Sequence, residues 1–132
     1  MATSTTLWIG TRKGAFRARS KDRKTWTIDG PMLRGSEINH VVADPRRPKR
    51  VYGTANSAWF GAHLQASDDS GKTWKLAEKG LELTGVPNES VKRIWHIEPG
   101  PADEPGVVYA GVDPGGLFRS SDWARRGNKY LR

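Results

Sequence analysis

Short runs of apolar and β-branched residues recur along the chain, separated by Gly, Pro, Asp and Asn. No window of a dozen residues carries an apolar stripe at helical spacing. The pattern predicts an all-β chain. Residues 7–11 and 15–20 read as two antiparallel strands around an Arg12-Lys13-Gly14 turn, with a third strand at about 25–28 before a break at Asp29-Gly30-Pro31. Four strands are expected near 38–43, 51–54, 63–66 and 73–77. After a Gly/Pro/Asn/Glu-rich connection at 79–90, three more are expected near 92–97, 107–112 and 117–120. Asp44-Pro45-Arg46-Arg47-Pro48 reads as a turn, because its prolines withdraw ladder donors. The basic residues Arg46, Arg47, Lys49 and Arg50 around it are expected to form a solvated loop, since no aromatic residue interleaves with them and no glycine-rich cradle adjoins them.

The octet Ser67-Asp68-Asp69-Ser70-Gly71-Lys72-Thr73-Trp74 organises the rest. A carboxylate at Asp69 can accept N–H groups from further round a hairpin, and Gly71 tolerates the positive φ of the bend. Trp74 offers a large apolar face with one donor, suited to a wedge between sheets. Shortened or partial copies occur upstream (Ser20, Asp22, Thr25, Trp26) and downstream (Ser120, Asp122), the serines lying 47 and 53 residues apart. That is the period of a four-stranded propeller blade. Leu7-Trp8-Ile9-Gly10, Val51-Tyr52-Gly53 and Val108-Tyr109-Ala110-Gly111 align as the strands before each copy. The expected architecture is a partial β-propeller of about two and a half antiparallel blades over residues 1–122. Blade 1 spans about 7–29 and lacks its innermost strand, blade 2 spans about 38–78, and blade 3 spans about 91–122. Residues 123–132 form an atypical basic tail with no fourth strand.

Composition refines this picture without changing it. With 132 residues the chain can bury a core, but closed propellers need at least four blades. A fragment, an open partial ring or self-association through open sheet edges is therefore expected, and the tail reads as readthrough or truncation, or alternatively as a cap. No cysteine is present, and neither a leader nor a bilayer-spanning stretch is visible, which makes a cytoplasmic location without membrane contact the expectation. Half of the net charge of +8 comes from Arg119, Arg125, Arg126, Lys129 and Arg132 against Asp122, so the basic character belongs largely to the tail and nucleic acid is not an expected partner.

The pattern Ser-x-Asp-x-Gly-x-Thr-Trp resembles the Asp-box, or BNR repeat. The runs Gly10-Thr11-Arg12-Lys13-Gly14-Ala15-Phe16, His40-Val41-Val42-Ala43-Asp44-Pro45, Trp59-Phe60-Gly61 and Trp95-His96-Ile97-Glu98-Pro99-Gly100-Pro101 resemble bacterial sialidase-like, BNR-repeat glycosyl hydrolases. The resemblance covers residues 7–122. It implies a propeller that acts on or binds carbohydrate, incomplete as an enzyme in this chain, with a non-catalytic scaffold for protein assembly as the alternative. It also implies that the boxes (Ser20, Asp22, Trp26; Ser67, Asp69, Gly71, Thr73, Trp74; Ser120, Asp122) are structural and lie away from the site. The Phe-Arg-Ile-Pro motif of true sialidases is absent.

By the same resemblance, ligand should meet the loops that carry Arg12, Lys13, Asn56, Trp59, Lys92 and Arg93. The arginines would pair an anionic sugar and Trp59 would stack on a ring. Glu37 and Asp113 are the candidate carboxylate pair for hydrolysis. His40 and His96 fall at matching positions and are expected each to make one buried hydrogen bond between blades. No metal-ligand spacing supports a metal site, and no cofactor is implied.

Overall fold

A computed structural model of the chain describes residues 4–57, 61–77 and 90–125, and the backbone of 129–130. The described residues form three antiparallel sheets and no helix. The first sheet holds β1 (Thr5–Thr11), β2 (Gly14–Ser20) and β3 (Thr27–Met32) in that order. The second holds β4 (Glu37–Asp44), β5 (Arg47–Ser57), β6 (Gly61–Ser67) and β7 (Lys75–Leu76), and the third β8 (Arg93–Pro99), β9 (Val108–Asp113), β10 (Gly116–Ser120) and β11 (Lys129–Tyr130). Each is an up-and-down meander in which neighbours in sequence are neighbours in space.

Several expected boundaries move. β3 runs through Gly30 and Pro31 instead of breaking there, since it is the edge strand of its sheet and the missing Pro31 N–H removes no necessary ladder bond. A fourth strand exists in the third sheet, because Phe118 pairs with Tyr130 and Arg119 with Lys129. The tail therefore supplies the outer strand that its composition concealed. The alignment of the first sheet also shifts by two residues. The partners of the three serines are Thr5 for Ser20, Val51 for Ser67 and Val108 for Ser120, so Leu7 corresponds to Gly53 and Ala110.

Two apolar layers join the sheets. Ala15, Trp8 and Met32 of the first sheet meet Ile38, Val41, Val51 and Ala55 of the second, with Trp74 inserted among them. Tyr52, Leu64 and Ala66 of the second sheet meet Ile94, Ile97, Val108, Ala110, Val112 and Phe118 of the third. Ile94, Ile97 and Phe118 have no exposed surface, and burial of side chains of that size contributes about 1.5–3 kcal/mol each.

Guanidinium groups tie the sheets at the hairpin end, and here the expected solvated loop is corrected for Arg46 and Arg50, while Arg47 and Lys49 are exposed. Arg46 donates to Asp44 within its own turn and reaches the third sheet's connection, giving hydrogen bonds to the Glu104 carbonyl at 2.7 Å and the Val107 carbonyl at 2.8 Å. Arg50, 5% exposed, pairs with Asp68 at 2.9 Å and donates to the Trp123 carbonyl. Arg46 and Arg47 also lie over the Trp123 ring, at 4.8 and 3.8 Å from its centroid. The carbonyls of the third sheet's segment that receive these two guanidinium groups lie more than fifty residues along the chain, so the turn's own sequence does not announce them.

Candidate functional site

The stack has two ends of different character. At one end lie the Ser-x-Asp hairpins. Ser67 Oγ accepts from Gly71 N at 2.8 Å and donates to Asp69 Oδ1 at 2.7 Å. Asp69 accepts from Thr73 N at 2.8 Å and from its hydroxyl at 2.6 Å, while Trp74 Nε1 donates to the Gly71 carbonyl. The hydroxyl and N–H of Thr73, followed by the Ser67 hydroxyl, hold the Asp69 carboxyl well below the usual range. Both carboxylate oxygens of Asp69 accept hydrogen bonds within the turn.

The other two hairpins keep this wiring at different lengths. In the first, one residue shorter, Ser20 Oγ accepts from Arg23 N and Asp22 Oδ1 from Lys24 N and Thr25 N. In the third, Ser120 Oγ accepts from Ala124 N and Asp122 Oδ1 from Arg125 N, although the sequence after Asp122 departs from the pattern. The residue three past each serine is left-handed: Arg23 at φ 61°, Ser70 at 60° and Trp123 at 62°. Trp26 is half-buried.

At the opposite end, the β1–β2 turn, the start of β4, the end of β5 and the start of β8 gather most of the ligand candidates. Arg12 and Lys13 are exposed in the β1–β2 turn on the first sheet. Glu37 begins β4 and lies 3.8 Å from the Arg93 guanidinium, and Asp113 stands directly across from Arg93 in the β8–β9 register. Arg93 therefore sits beside Glu37 and opposite Asp113. Lys92 donates its backbone N–H to the Asp113 carbonyl. Trp59 lies outside the described residues.

Asn56 is buried, and its amide is engaged by protein at both ends. Its Nδ2 donates to Asn39 Oδ1 and its Oδ1 accepts from Ile94 N at 3.2 Å, so it joins the second and third sheets behind Glu37 and Arg93.

A residue that sequence reasoning passed over stands at the centre of this end. Trp95 is 48% exposed and lies at the irregularity in β8 where Ile94 pairs with Val112 and His96 with Gly111. The extra residue turns the indole out of the sheet. The Arg93 guanidinium lies 5.1 Å from its ring centroid. The signal was an exposed aromatic two residues from an arginine on a strand with no alternating partner, which is legible only once the bulge is known. β4 has a matching irregularity at Asn39-His40, held by the Thr54 hydroxyl accepting both N–H groups.

His40 and His96 stack there with centroids 4.0 Å apart and planes 19° from parallel. His40 makes the expected inter-sheet bond, its Nδ1 accepting from Ile97 N at 3.0 Å. His96 does not. It is exposed, its ring lying on that of His40 while its Nε2 meets Glu98 of its own strand at 3.0 Å. Burial, followed by the neighbouring His96, pushes the His40 pKa down. Face-to-face rings do not converge on a common ion. Among the described residues no group of three or more His, Cys, Asp or Glu could hold a metal, and no helix is long and apolar enough to cross a membrane.

No protein-family model matches this chain, and no curated protein matches it.

Proposed function

We propose that the chain is part of a sialidase-like, Asp-box β-propeller, with the three sheets as successive blades, and that it binds carbohydrate at the end where β4 and β8 present their bulges. The observation that carries this reading is Trp95, an exposed indole flanked by the Arg93 guanidinium, with Glu37 beside that guanidinium. An aromatic face for the apolar side of a sugar ring, edged by a fixed cation and an acceptor, is the arrangement a polar, anionic monosaccharide requires. Support for the blade assignment comes from the meander order of each sheet and from the Ser-x-Asp hairpin placed before each outer strand. A cytoplasmic location accompanies the reading, given the absence of cysteine.

Binding is favoured over hydrolysis. Glu37 already serves as a counter-ion to Arg93, and a glycosidase acid must instead hold a proton for the leaving group. Titration of labelled protein with N-acetylneuraminate, glucuronate and galactose tests this. Saturable shifts of the Trp95 indole and the neighbouring Ile94 and His96 amides are expected, stronger for the two acids, and lost in Trp95→Ala. Equal, non-saturating shifts in all three titrations would sink the reading. A protein-assembly scaffold is the second reading, favoured by the exposure of Leu7, Ile9 and Ile28 on one face of the first sheet.

A further inference from the structure

We propose that two copies of this chain associate head to tail, the outer face of the third sheet in one copy packing on the outer face of the first sheet in the other. The inference rests on how the sheets stack and not on the carbohydrate reading.

Strand alternation gives every sheet a rear face, turned to the preceding sheet, and a front face, turned to the following one. The rear face is built at Val51, Gly53 and Ala55 in the second sheet and at Val108, Ala110 and Val112 in the third. Counted from the serine partner, the same positions in the first sheet are Thr5, Leu7 and Ile9. Leu7 is 46% exposed, Ile9 40% and Ile28 64%. Leu7, Ala18 and Ile28 stand in register across β1, β2 and β3 and so form one apolar row. In the other two sheets this face is covered.

The front of the third sheet repeats the front of the second. Tyr109 corresponds to Tyr52 and Leu117 to Leu64, each counted from its serine. Tyr52 and Leu64 are buried against the third sheet, whereas Leu117 is 39% exposed and Tyr109 is half-buried. The two uncovered faces are thus the two halves of a contact that the molecule already makes twice. A second copy carries both halves of that contact and is the occupant proposed.

A polar element accompanies the apolar one. Arg17 of the first sheet donates to the Ser70 carbonyl at 3.1 Å, and Arg50 of the second donates to the Trp123 carbonyl. Both acceptors lie three residues past the hairpin serine, in the left-handed conformation. The third such residue is Arg23, whose carbonyl holds no guanidinium among the described residues. The front face of the third sheet carries Arg119 beside Leu117 to supply one. The contact uses faces, since β11 already occupies the outer edge of the third sheet.

Light scattering and sedimentation on the full chain test the proposal, with a mass of twice 14.6 kDa expected for a closed pair. Ile28→Glu and Leu117→Glu should each weaken association about tenfold or more by burying a charge, while circular dichroism stays that of the parent. Mixing the two variants should restore a one-to-one pair, because one intact front then meets one intact rear. A single-chain mass at every concentration, a mixture that stays monomeric, or a Leu117→Glu chain that pairs as well as the parent would each overturn the proposal.

Discussion

Ser70 and Trp123 occupy the same step of successive hairpins, three residues past the serine, with φ of 60° and 62°, and each carbonyl accepts a guanidinium from the sheet before it. One is a small polar residue and the other the largest of the twenty. The position is therefore defined by backbone conformation and by the carbonyl it exposes. An arginine reaches this carbonyl from the neighbouring sheet because its rigid fork projects beyond the strand; a lysine of similar reach offers a single point of charge.

Arg50→Lys is expected to destabilise the fold by about 1–3 kcal/mol, because Arg50 is buried and a single ammonium cannot reach both the Trp123 carbonyl and Asp68, which the two ends of the guanidinium fork serve. Arg17→Lys should cost less, since Arg17 is partly exposed and its site is more open to water. Urea midpoints of the two variants, compared at equal slopes, measure the difference.

Ser67→Ala leaves the buried Gly71 N–H without its acceptor and should cost about 1–3 kcal/mol, more than Ser20→Ala in the exposed first hairpin. The depressed Asp69 carboxyl adds an acid limb. Its folded pKa lies below the unfolded value near 4, so its contribution is complete above that value and is lost as pH falls below it. Denaturant titrations between pH 7 and 2 should show a shallower acid decline for Asp69→Asn than for the parent. An identical decline would contradict the assignment.

Asp44 is fully buried and accepts from Tyr52 Oη at 2.7 Å and from Arg46 at 2.8 Å. Burial pushes its carboxyl up, but the bonds from Arg46 and Tyr52 outweigh that and hold it below the usual range. Burial and the adjacent Asp44 together raise the Tyr52 phenol. Asp44→Ala, which strands Arg46 as an unpaired cation, should cost about 3–5 kcal/mol. Tyr52→Phe, which removes one donor and keeps the packing, should cost about 0.5–1.5 kcal/mol. Thermal or urea unfolding of both variants gives the order, and a reversed order would refute the account.

His40 has to be neutral at Nδ1 to accept from Ile97 N, and its pKa is pushed below the ordinary value near 6.5. The unfolded chain then binds more protons than the folded one in the interval below 6.5. This part of the stability is accordingly present above that pH and falls as the medium is acidified through the interval. The groups facing His40 are His96, which adds to the depression, and Glu98, which opposes it. In His40→Ala the second and third sheets should separate more readily, costing about 1–3 kcal/mol at pH 7.5, and the stability should change less between pH 7 and 5. Amide exchange at Ile97 provides a local readout.

The hairpin at 67–74 is legible in outline, since Asp69 accepts an N–H from further round the turn, Gly71 takes a positive φ and Trp74 enters the layer between sheets, whereas the bonds of the Ser67 and Thr73 hydroxyls are not. Strand identity was equally accessible from alternation. What escaped was everything set by partners far along the chain. Arg46 and Arg50 read as solvated because the carbonyls that tie them to the third sheet lie beyond residue 100. Trp95 does not stand out in the sequence, because the bulge that turns it outward is a property of pairing with β9. The tail looked structureless because a two-residue strand carries no period, and its pairing with β10 is specified by the hairpin preceding it.

The hairpins also differ in length while delivering their outer strands to the same place. Arg19 meets Thr27, Ala66 meets Lys75 and Arg119 meets Lys129, each loop one residue longer than the last. Nature has thus already performed an insertion series on this fold. The backbone between the left-handed residue and the outer strand therefore accommodates an added residue, while the serine, the aspartate and the carbonyl that receives the guanidinium keep their places.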